Sequence, residues 1–177
     1  AGLGYHRLIP VKRLPLWIGG EFSVPSGSQL AVDDFKVRIG AQIRIAAFNH
    51  LQFSGRVHAI ARRYHNQSVT LFNFGSDLTG TIGYYRKNWF WGAEVGFDKA
   101  IVTNFKHSEW YKKNIYDNVQ DGWYEPATGG NFYYGLHGGF SMKKIDITLK
   151  VGKALQQDFK SQSLLPFYGQ FGVNFRF

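Results

Sequence analysis

The sequence predicts an all-β fold, a closed antiparallel up-and-down β-barrel of eight to ten strands that cross a membrane. Three observations lead to this prediction. Apolar and polar residues alternate along most of the chain, as in strands whose side chains point to opposite faces. No useful helical periodicity and no run of 18 apolar residues are present. Aromatic residues make up 18% of the chain and glycine occurs 21 times, which aromatic girdles and a glycine-lined lumen would explain.

The composition is compatible with a barrel and restricts the chemistry of the chain. Its 177 residues suit one domain, 1–177. Mean hydropathy is -0.26, a value that a barrel shares with soluble proteins because half of each strand is polar. Cysteine is absent, which excludes disulfides, thiolate metal sites and cysteine nucleophiles. The net charge of +9 suits nucleic acid or anionic lipid head groups.

The N-terminal half contains five segments with strand-like alternation, separated by residues that favour turns. In 36–48, the cleanest case, one phase is apolar and the other carries Arg38 and Arg44. The Asn49–His50 pair then forms a tight turn. The predicted strands of this half are 1–9, 16–24, 36–48, 51–64 and the segment from a turn at 65–67 to about Lys87.

The C-terminal half continues the pattern with four strands and one long break at 107–129, which is rich in Trp, Tyr, Lys and Asp. In the last segment Phe167, Phe171 and Phe175 share one face, and polar residues take the other. The predicted strands of this half are Trp89 to about Phe105, 131–142, 145–156 and 165–177.

Short and long connections alternate along the chain. Turns near 10–15, 49–50, 87–88 and 143–144 are short, those near 25–35, 107–129 and 157–164 are longer, and 65–67 is an exception. Membrane barrels have short turns on one side and longer loops on the other. The nine predicted strands conflict with the even number of bacterial single-chain barrels. We therefore expect eight or ten strands, with ten favoured, and either a first strand before residue 1 or a different division of the segments 1–24 or 65–87 would resolve the count.

The C-terminal strand carries the most specific resemblance. Its alternating aromatics and terminal Phe177 resemble the closing strand of bacterial outer-membrane β-barrels, which serves as the signal for the assembly machinery. Over nearly the whole chain, the pattern is similar to small barrels of the OmpA/OmpX type. The resemblance implies a bacterial outer-membrane location, contact with outer-membrane lipid and lipopolysaccharide, and recognition by the barrel-assembly machinery through the last strand. The alternative structure is a soluble β-sandwich.

The inward-facing phase of the predicted strands carries charges of both signs. A barrel of about eight strands is just wide enough for its own side chains, and buried charges need partners. We therefore favour a filled lumen over an anion-selective pore. The residues predicted to form this network are Glu21, Arg38, Arg44, Arg56, Arg62, Glu94, Asp98, Asp146, Lys150 and Arg176.

Catalytic and metal-binding patterns are weak. No histidine spacing resembles a zinc site, so no metal and no cofactor are predicted, and His58 and His137 are interpreted as paired lumen residues. The best catalytic hint is His107 followed by Ser108. Lipid A 3-O-deacylases, which are small barrels, use a His and a Ser separated by one residue. This resemblance implies His107 and Ser108 as catalytic candidates, with Glu109 or Asp117 as the orienting carboxylate. Palmitoyl-transferring barrels are a second precedent.

The break at 107–129 is a candidate docking surface. Aromatics interleaved with lysines can bind protein, glycan or lipid, and they can stack bases, although nucleic acid is not an expected partner of a membrane barrel. Cations at the outer rim could neutralise lipopolysaccharide phosphates or simply be solvated. The predicted partner- and lipid-binding residues are Trp110, Tyr111, Lys112, Lys113, Tyr116, Trp123, Tyr124, Arg63, Lys99 and Lys106.

These patterns favour a non-enzymatic, integral outer-membrane protein with a structural, accessory or partner-docking role. Two alternatives remain open at this point. One is an enzyme of the outer leaflet that modifies lipid A, as a deacylase or an acyltransferase. The other is a narrow porin.

Overall fold

A computed structural model of the chain describes residues 1–11, 14–24, 34–126, 130–158 and 166–176. Within these residues the protein is almost entirely β-structure, with one short helix, α1 (Glu109–Asn114). The strands are β1 (Gly2–Val11), β2 (Leu14–Ser23), β3 (Phe35–Phe48), β4 (Leu51–His65), β5 (Val69–Tyr85), β6 (Trp89–His107), β7 (Gly122–Tyr124), β8 (Gly130–Met142), β9 (Ile145–Gln156) and β10 (Phe167–Phe175).

The strands form one antiparallel sheet in which neighbours in the chain are neighbours in space. The order is β1-β2-β3-β4-β5-β6-β8-β9-β10, and β7 pairs with the end of β6. This sheet of nine long strands and one short strand agrees with the predicted range of eight to ten. The sheet curls into an open half-barrel.

The prediction of a closed barrel is wrong for the described residues. There β1 pairs with β2 alone, and β10 pairs with β9 alone. The reason lies in strand direction. Each strand along the nine-strand path is antiparallel to the one before it, so β1 and β10 run in the same direction and cannot form an antiparallel pair.

The connections differ between the two ends of the sheet. At one end, which we call the turn end, the connections are short: Asn49–His50 joins β3 to β4 and Lys143–Lys144 joins β8 to β9. Asn49 and Lys143 have φ values of 54° and 46°, which suit tight hairpins. The opposite end, the loop end, holds the connection between β6 and β8, which contains α1 and β7.

The connections in the structure differ in part from those that the sequence predicts. The turn expected at 10–15 is shorter, because Pro10 and Val11 still pair with Pro15 and Leu14. The break expected at 107–129 contains α1 and β7. Most of the loops expected near 25–35 and 157–164, together with Phe177, lies outside the described residues.

Side-chain polarity in the sheet is opposite to that of a soluble sheet. One face, which we call the inner face, buries polar side chains: Thr79 is 1% exposed and Glu94 is 4% exposed. The other, the outer face, exposes apolar side chains, with Leu78 and Val95 each 63% exposed. These residues alternate along β5 and β6, so the period-two pattern of the sequence separates the two faces.

Candidate functional site

Charged and polar side chains on the inner face are paired across strands. Glu94 of β6 accepts hydrogen bonds from Lys150 Nζ at 2.7 Å and from the Tyr168 hydroxyl at 3.1 Å. Asp77 of β5 accepts from the Tyr133 hydroxyl at 2.9 Å. These bonds join β6 to β9 and β10, and β5 to β8, so the inner face is linked across strands that are not neighbours.

A second part of the network lies nearer to β2 and β3. Arg62 Nη2 donates to Asp98 Oδ2, and Lys36 Nζ lies 3.9 Å from the same carboxylate oxygen. Arg38 Nη1 donates to Glu21 Oε2 at 3.4 Å. Both carboxylates that sequence reasoning placed here therefore have cationic neighbours.

The predicted lumen residues differ in the partners that the structure gives them. Most form ion pairs on the inner face, and Arg56 instead donates to Thr79 Oγ1 at 3.2 Å. Arg176 and Asp146 pair at 3.1 Å at the turn end, where Arg176 is half exposed. Arg44 forms no ion pair among the described residues. The sequence prediction did not include five further members of the network: Lys36, Asp77, Thr79, Tyr133 and Tyr168. The only signal for them in the sequence is that they occupy inward-facing positions of the period-two alternation.

His107 ends β6 at the loop end and is held by a carboxylate from the following connection. Asp121 Oδ1 accepts from the backbone N–H of His107 at 2.8 Å and contacts its Nδ1 at 2.9 Å. Lys112 Nζ donates to Asp121 Oδ2 at 2.8 Å. Gly122, which follows Asp121, has a φ of 153° that favours glycine, so it helps the chain to turn back towards β6.

These contacts stabilise the charged forms of Asp121 and Lys112. The backbone N–H of His107, then Lys112 and the His107 side chain, hold the pKa of Asp121 well below its usual range. The hydrogen bond to Asp121 raises the pKa of Lys112. The predicted carboxylates do not take this place: Glu109 is almost fully exposed beside Lys112, and the described contacts of His107 do not include Asp117.

Ser108 has a structural position. Its hydroxyl accepts a hydrogen bond from the backbone N–H of Tyr111 at 3.1 Å, so Ser108 is the N-cap of α1. Its own backbone N–H donates to the Ser68 carbonyl at 2.9 Å. The Ser108 hydroxyl is therefore engaged with the helix, and no hydrogen bond between it and His107 occurs among the described residues.

Several aromatic residues of this connection pack against rings of β5 and β6, and most of them also remain exposed to solvent. Tyr111 lies on His107, with ring centroids 5.3 Å apart. Trp123 stacks on Phe74 at 6.0 Å, and Tyr124 meets Phe105 edge-on at 5.6 Å. Trp110, Tyr116, Trp123 and Tyr124 remain largely exposed. We call these four residues the rim aromatics.

The predicted basic rim residues are not all close together. Lys112 and Lys113 lie on α1, and Lys106 pairs with Thr70 near the end of β6. Lys99 lies seven residues earlier in β6, which is roughly 23 Å along a strand. Arg63 lies opposite Phe72 near the end of β4.

Two inner-face histidines differ from their interpretation as paired lumen residues. The buried Nδ1 atoms of His58 and His137 have no hydrogen-bond partner among the described residues. His58 also lies near His6 and Glu21, and the potential metal-ligating atoms of these three residues are all within 4.8 Å of one another. Sequence spacing could not reveal this group, because its members come from three strands.

Comparisons with known proteins leave the chain without an identified family. No protein-family model matches the sequence, and no curated protein matches it. Among the described residues, no helix is both long and apolar enough to span a membrane.

Proposed function

We propose that this protein is an integral protein of a bacterial outer membrane with a structural or docking role. The observation that carries the proposal is the inverted polarity of the sheet, which exposes aliphatic side chains on the outer face and buries charged ones on the inner face. Exposed apolar patches on soluble monomers rarely exceed a few hundred Å². Lipid would cover the outer face, and each large side chain removed from water would contribute about 1.5–3 kcal/mol.

The lengths of the strands and the positions of the exposed aromatics on the outer face support this proposal. A tilted strand of about 9–11 residues crosses a bilayer, and each of the nine long strands has at least 9 residues. Most exposed aromatics lie towards the two ends of the sheet, as interfacial girdles would require, and the exceptions in mid-strand include Tyr5 and Phe171. Those near the turn end are Phe48, Trp89, Trp91, Phe140 and Phe175, and those near the loop end are Phe22, Phe74, Phe132 and Phe167.

The edges of the sheet impose a requirement on this proposal. Lipid leaves backbone polar groups without partners, so the free edges of β1 and β10 need to be paired. Because these strands run in the same direction, closing the open half-barrel with antiparallel pairs would take an odd number of added strands. A second copy of the chain in the same orientation would not do this, because its edge strands would run parallel to the edges that they meet. We therefore expect the edges of β1 and β10 to be paired in the membrane by one or more strands that are not among those described.

Single-cysteine labelling tests the membrane assignment cleanly, because the chain contains no cysteine. An environment-sensitive fluorophore would be attached to Leu78→Cys or Val95→Cys, with Lys113→Cys on α1 as the matched control. In reconstituted vesicles we expect the first two labels to be quenched by nitroxide lipids and the third by aqueous iodide. Iodide quenching at all three positions would overturn the proposal.

The support for a structural or docking role comes from the inner face and from the loop end. The paired charges of the inner face favour a structural interior over a conducting one. The rim aromatics, together with Lys112 and Lys113, form a surface that suits lipid head groups or a protein partner. Substituting Trp110 and Tyr116 with Ala should release a partner that co-purifies with the native protein in mild detergent, while leaving strand content unchanged.

The second candidate function, modification of lipid A at the outer leaflet, is favoured by the contact of His107 with Asp121. A carboxylate on Nδ1 orients a histidine so that Nε2 can act as a base. Because the Ser108 hydroxyl caps α1, the base would activate a water molecule. Mass spectrometry of lipid A from cells with and without the protein tests this function. A change of one acyl chain that His107→Ala abolishes and His65→Ala preserves would establish it.

A further inference from the structure

Two histidines and two glycines form a row across the first four strands. In the pairing register His6 of β1 lies opposite Gly19 of β2, Gly19 lies opposite Gly40 of β3, and Gly40 lies opposite His58 of β4. The two histidines are therefore separated by three strand spacings, roughly 14 Å between backbones. Side chains that stood upright on the sheet would not meet across that distance.

The glycines allow the two imidazole rings to lean towards each other. A Cβ added at Gly19 would lie 2.3 Å from His6 Cδ2, and one added at Gly40 would lie 2.4 Å from His58 Cδ2. Each ring thus occupies the space above the neighbouring glycine, and any larger residue there would displace it. The rings consequently approach each other over the middle of the row.

Glu21 of β2 brings a carboxylate to the same place. Its Oε1 lies 3.8 Å from His6 Nε2, and its other oxygen accepts from Arg38 at 3.4 Å. One potential ligand atom from each of His6, Glu21 and His58 lies within 4.8 Å of the other two. Arg38 engages Oε2 and leaves Oε1 directed at the histidines.

His58 supplies an independent observation. Its side chain is deeply buried, with 3% of the residue exposed, yet its Nδ1 has no hydrogen-bond partner among the described residues. A buried polar atom without a partner costs about 1–3 kcal/mol. The ring atom above Gly40 is Cδ2, which is bonded to Nε2, so the edge that carries Nε2 faces the row and is the edge a ligand would meet.

We propose that His6, Glu21 and His58 bind one divalent transition-metal ion, with Zn²⁺ as the reference ion. Imidazole nitrogens with a carboxylate oxygen suit this class. Tetrahedral ligands about 2.0–2.1 Å from zinc are roughly 3.4 Å apart, so ligand atoms that lie within 4.8 Å of one another need to approach by at most about 1.4 Å. Three protein ligands leave one position open for water. The His6 side chain is 43% exposed, so an ion in solution can reach this ligand.

Metal titration of the folded full-length chain tests the proposal. We expect one Zn²⁺ per chain by calorimetry, and Co²⁺ should give the visible absorption of a tetrahedral site. His6→Gln and Glu21→Gln should each weaken Zn²⁺ binding by at least about tenfold. The His6 variant is the more informative, because a half-exposed side chain can be changed without threatening the fold.

Two histidines outside the site provide matched controls. His137→Gln changes the other inner-face histidine with an unpartnered Nδ1, and His107→Gln changes the histidine at the loop end. Both should bind Zn²⁺ as the unchanged protein does. Binding that survives His6→Gln, binding that depends on His107 instead, or no saturable Zn²⁺ binding by the folded protein would each overturn the proposal.

Discussion

Glu94 illustrates how single residues of the inner face connect distant parts of the chain. It is buried in β6, and its two partners, Lys150 and Tyr168, are 56 and 74 residues away in sequence. Curvature of the sheet brings the partners within hydrogen-bond distance. A buried charge whose partner is removed is costly, while an exposed pair contributes little.

We predict that Glu94→Gln destabilises the protein by about 3–5 kcal/mol, because it removes the buried carboxylate and leaves the partly buried Lys150 without its partner. The matched control is Asp146→Asn, which removes the half-exposed pair with Arg176 and should cost less than about 1 kcal/mol. Adding Lys150→Met to Glu94→Gln should restore most of the stability. Denaturant unfolding of the three variants measures these differences. Equal losses for Glu94→Gln and Asp146→Asn would contradict the assignment of Glu94 to a buried pair.

Asp121 gives the loop end a predictable dependence on pH. Because its folded-state pKa is depressed, its contribution is present above the ordinary aspartate pKa of about 3.9 and is lost as the pH falls towards the folded value. The pKa of Lys112 is raised, so its contribution is lost only at strongly alkaline pH. The contacts of Asp121 should therefore hold between about pH 5 and pH 9.

Hydrogen exchange of residues 108–124, corrected for intrinsic rates, measures this dependence. Protection should fall on acidification below about pH 4, and Asp121→Asn should show reduced protection already at neutral pH. Asp117→Asn, in the same connection, is the control and should behave like the unchanged protein. Unchanged protection in Asp121→Asn would mean that the aromatic contacts alone hold α1 and β7.

At the scale of elements, period-two alternation was sufficient to predict the nine long strands. The shorter elements escaped prediction for a physical reason. The six residues of α1 make fewer than two turns and the three residues of β7 make little more than one alternation, so neither leaves a periodic signal. Alternation also could not show whether the sheet closes into a barrel. It predicts which face of the sheet each side chain lies on, but it does not predict whether the first and last strands pair.

Glycines show that the two faces of the sheet differ in available space. A Cβ at Gly40 would lie 2.0 Å from the Val57 carbonyl oxygen, whereas the nearest contact of a Cβ at Gly80 is Val95 Cγ2 at 3.9 Å. We predict that Gly40→Ala destabilises the protein by at least about 2 kcal/mol, and that Gly80→Ala stays within about 1 kcal/mol of the native stability. Chemical denaturation followed by circular dichroism compares them, and similar values for both variants would contradict this account.

At the scale of the whole molecule, the sequence predicted which residues face inward but not which of them meet. Arg38 and Glu21 face each other directly in the register of β2 and β3, so their pairing follows from the strand alignment alone. The contacts of Glu94 with Tyr168, and the approach of His6 to His58, depend on the curvature of the sheet and on glycine positions. Asp121 reaches His107 through a connection that has no periodic pattern. Candidate site residues were therefore predictable by face, and their partners were not.

Leu78 provides the sharpest test of the environment of the whole sheet. It lies near the middle of β5 on the outer face, and the structure exposes it. In water, replacing an exposed side chain changes stability by about 0.5 kcal/mol or less. In a bilayer, Leu78→Arg would place a charge near the midplane and should cost about 2–4 kcal/mol. Phe167→Arg, on the outer face at the loop end of β10, is the matched control and should cost about 0–1 kcal/mol. Unfolding from lipid vesicles measures both variants, and a negligible effect of Leu78→Arg would show that water, not lipid, surrounds the outer face.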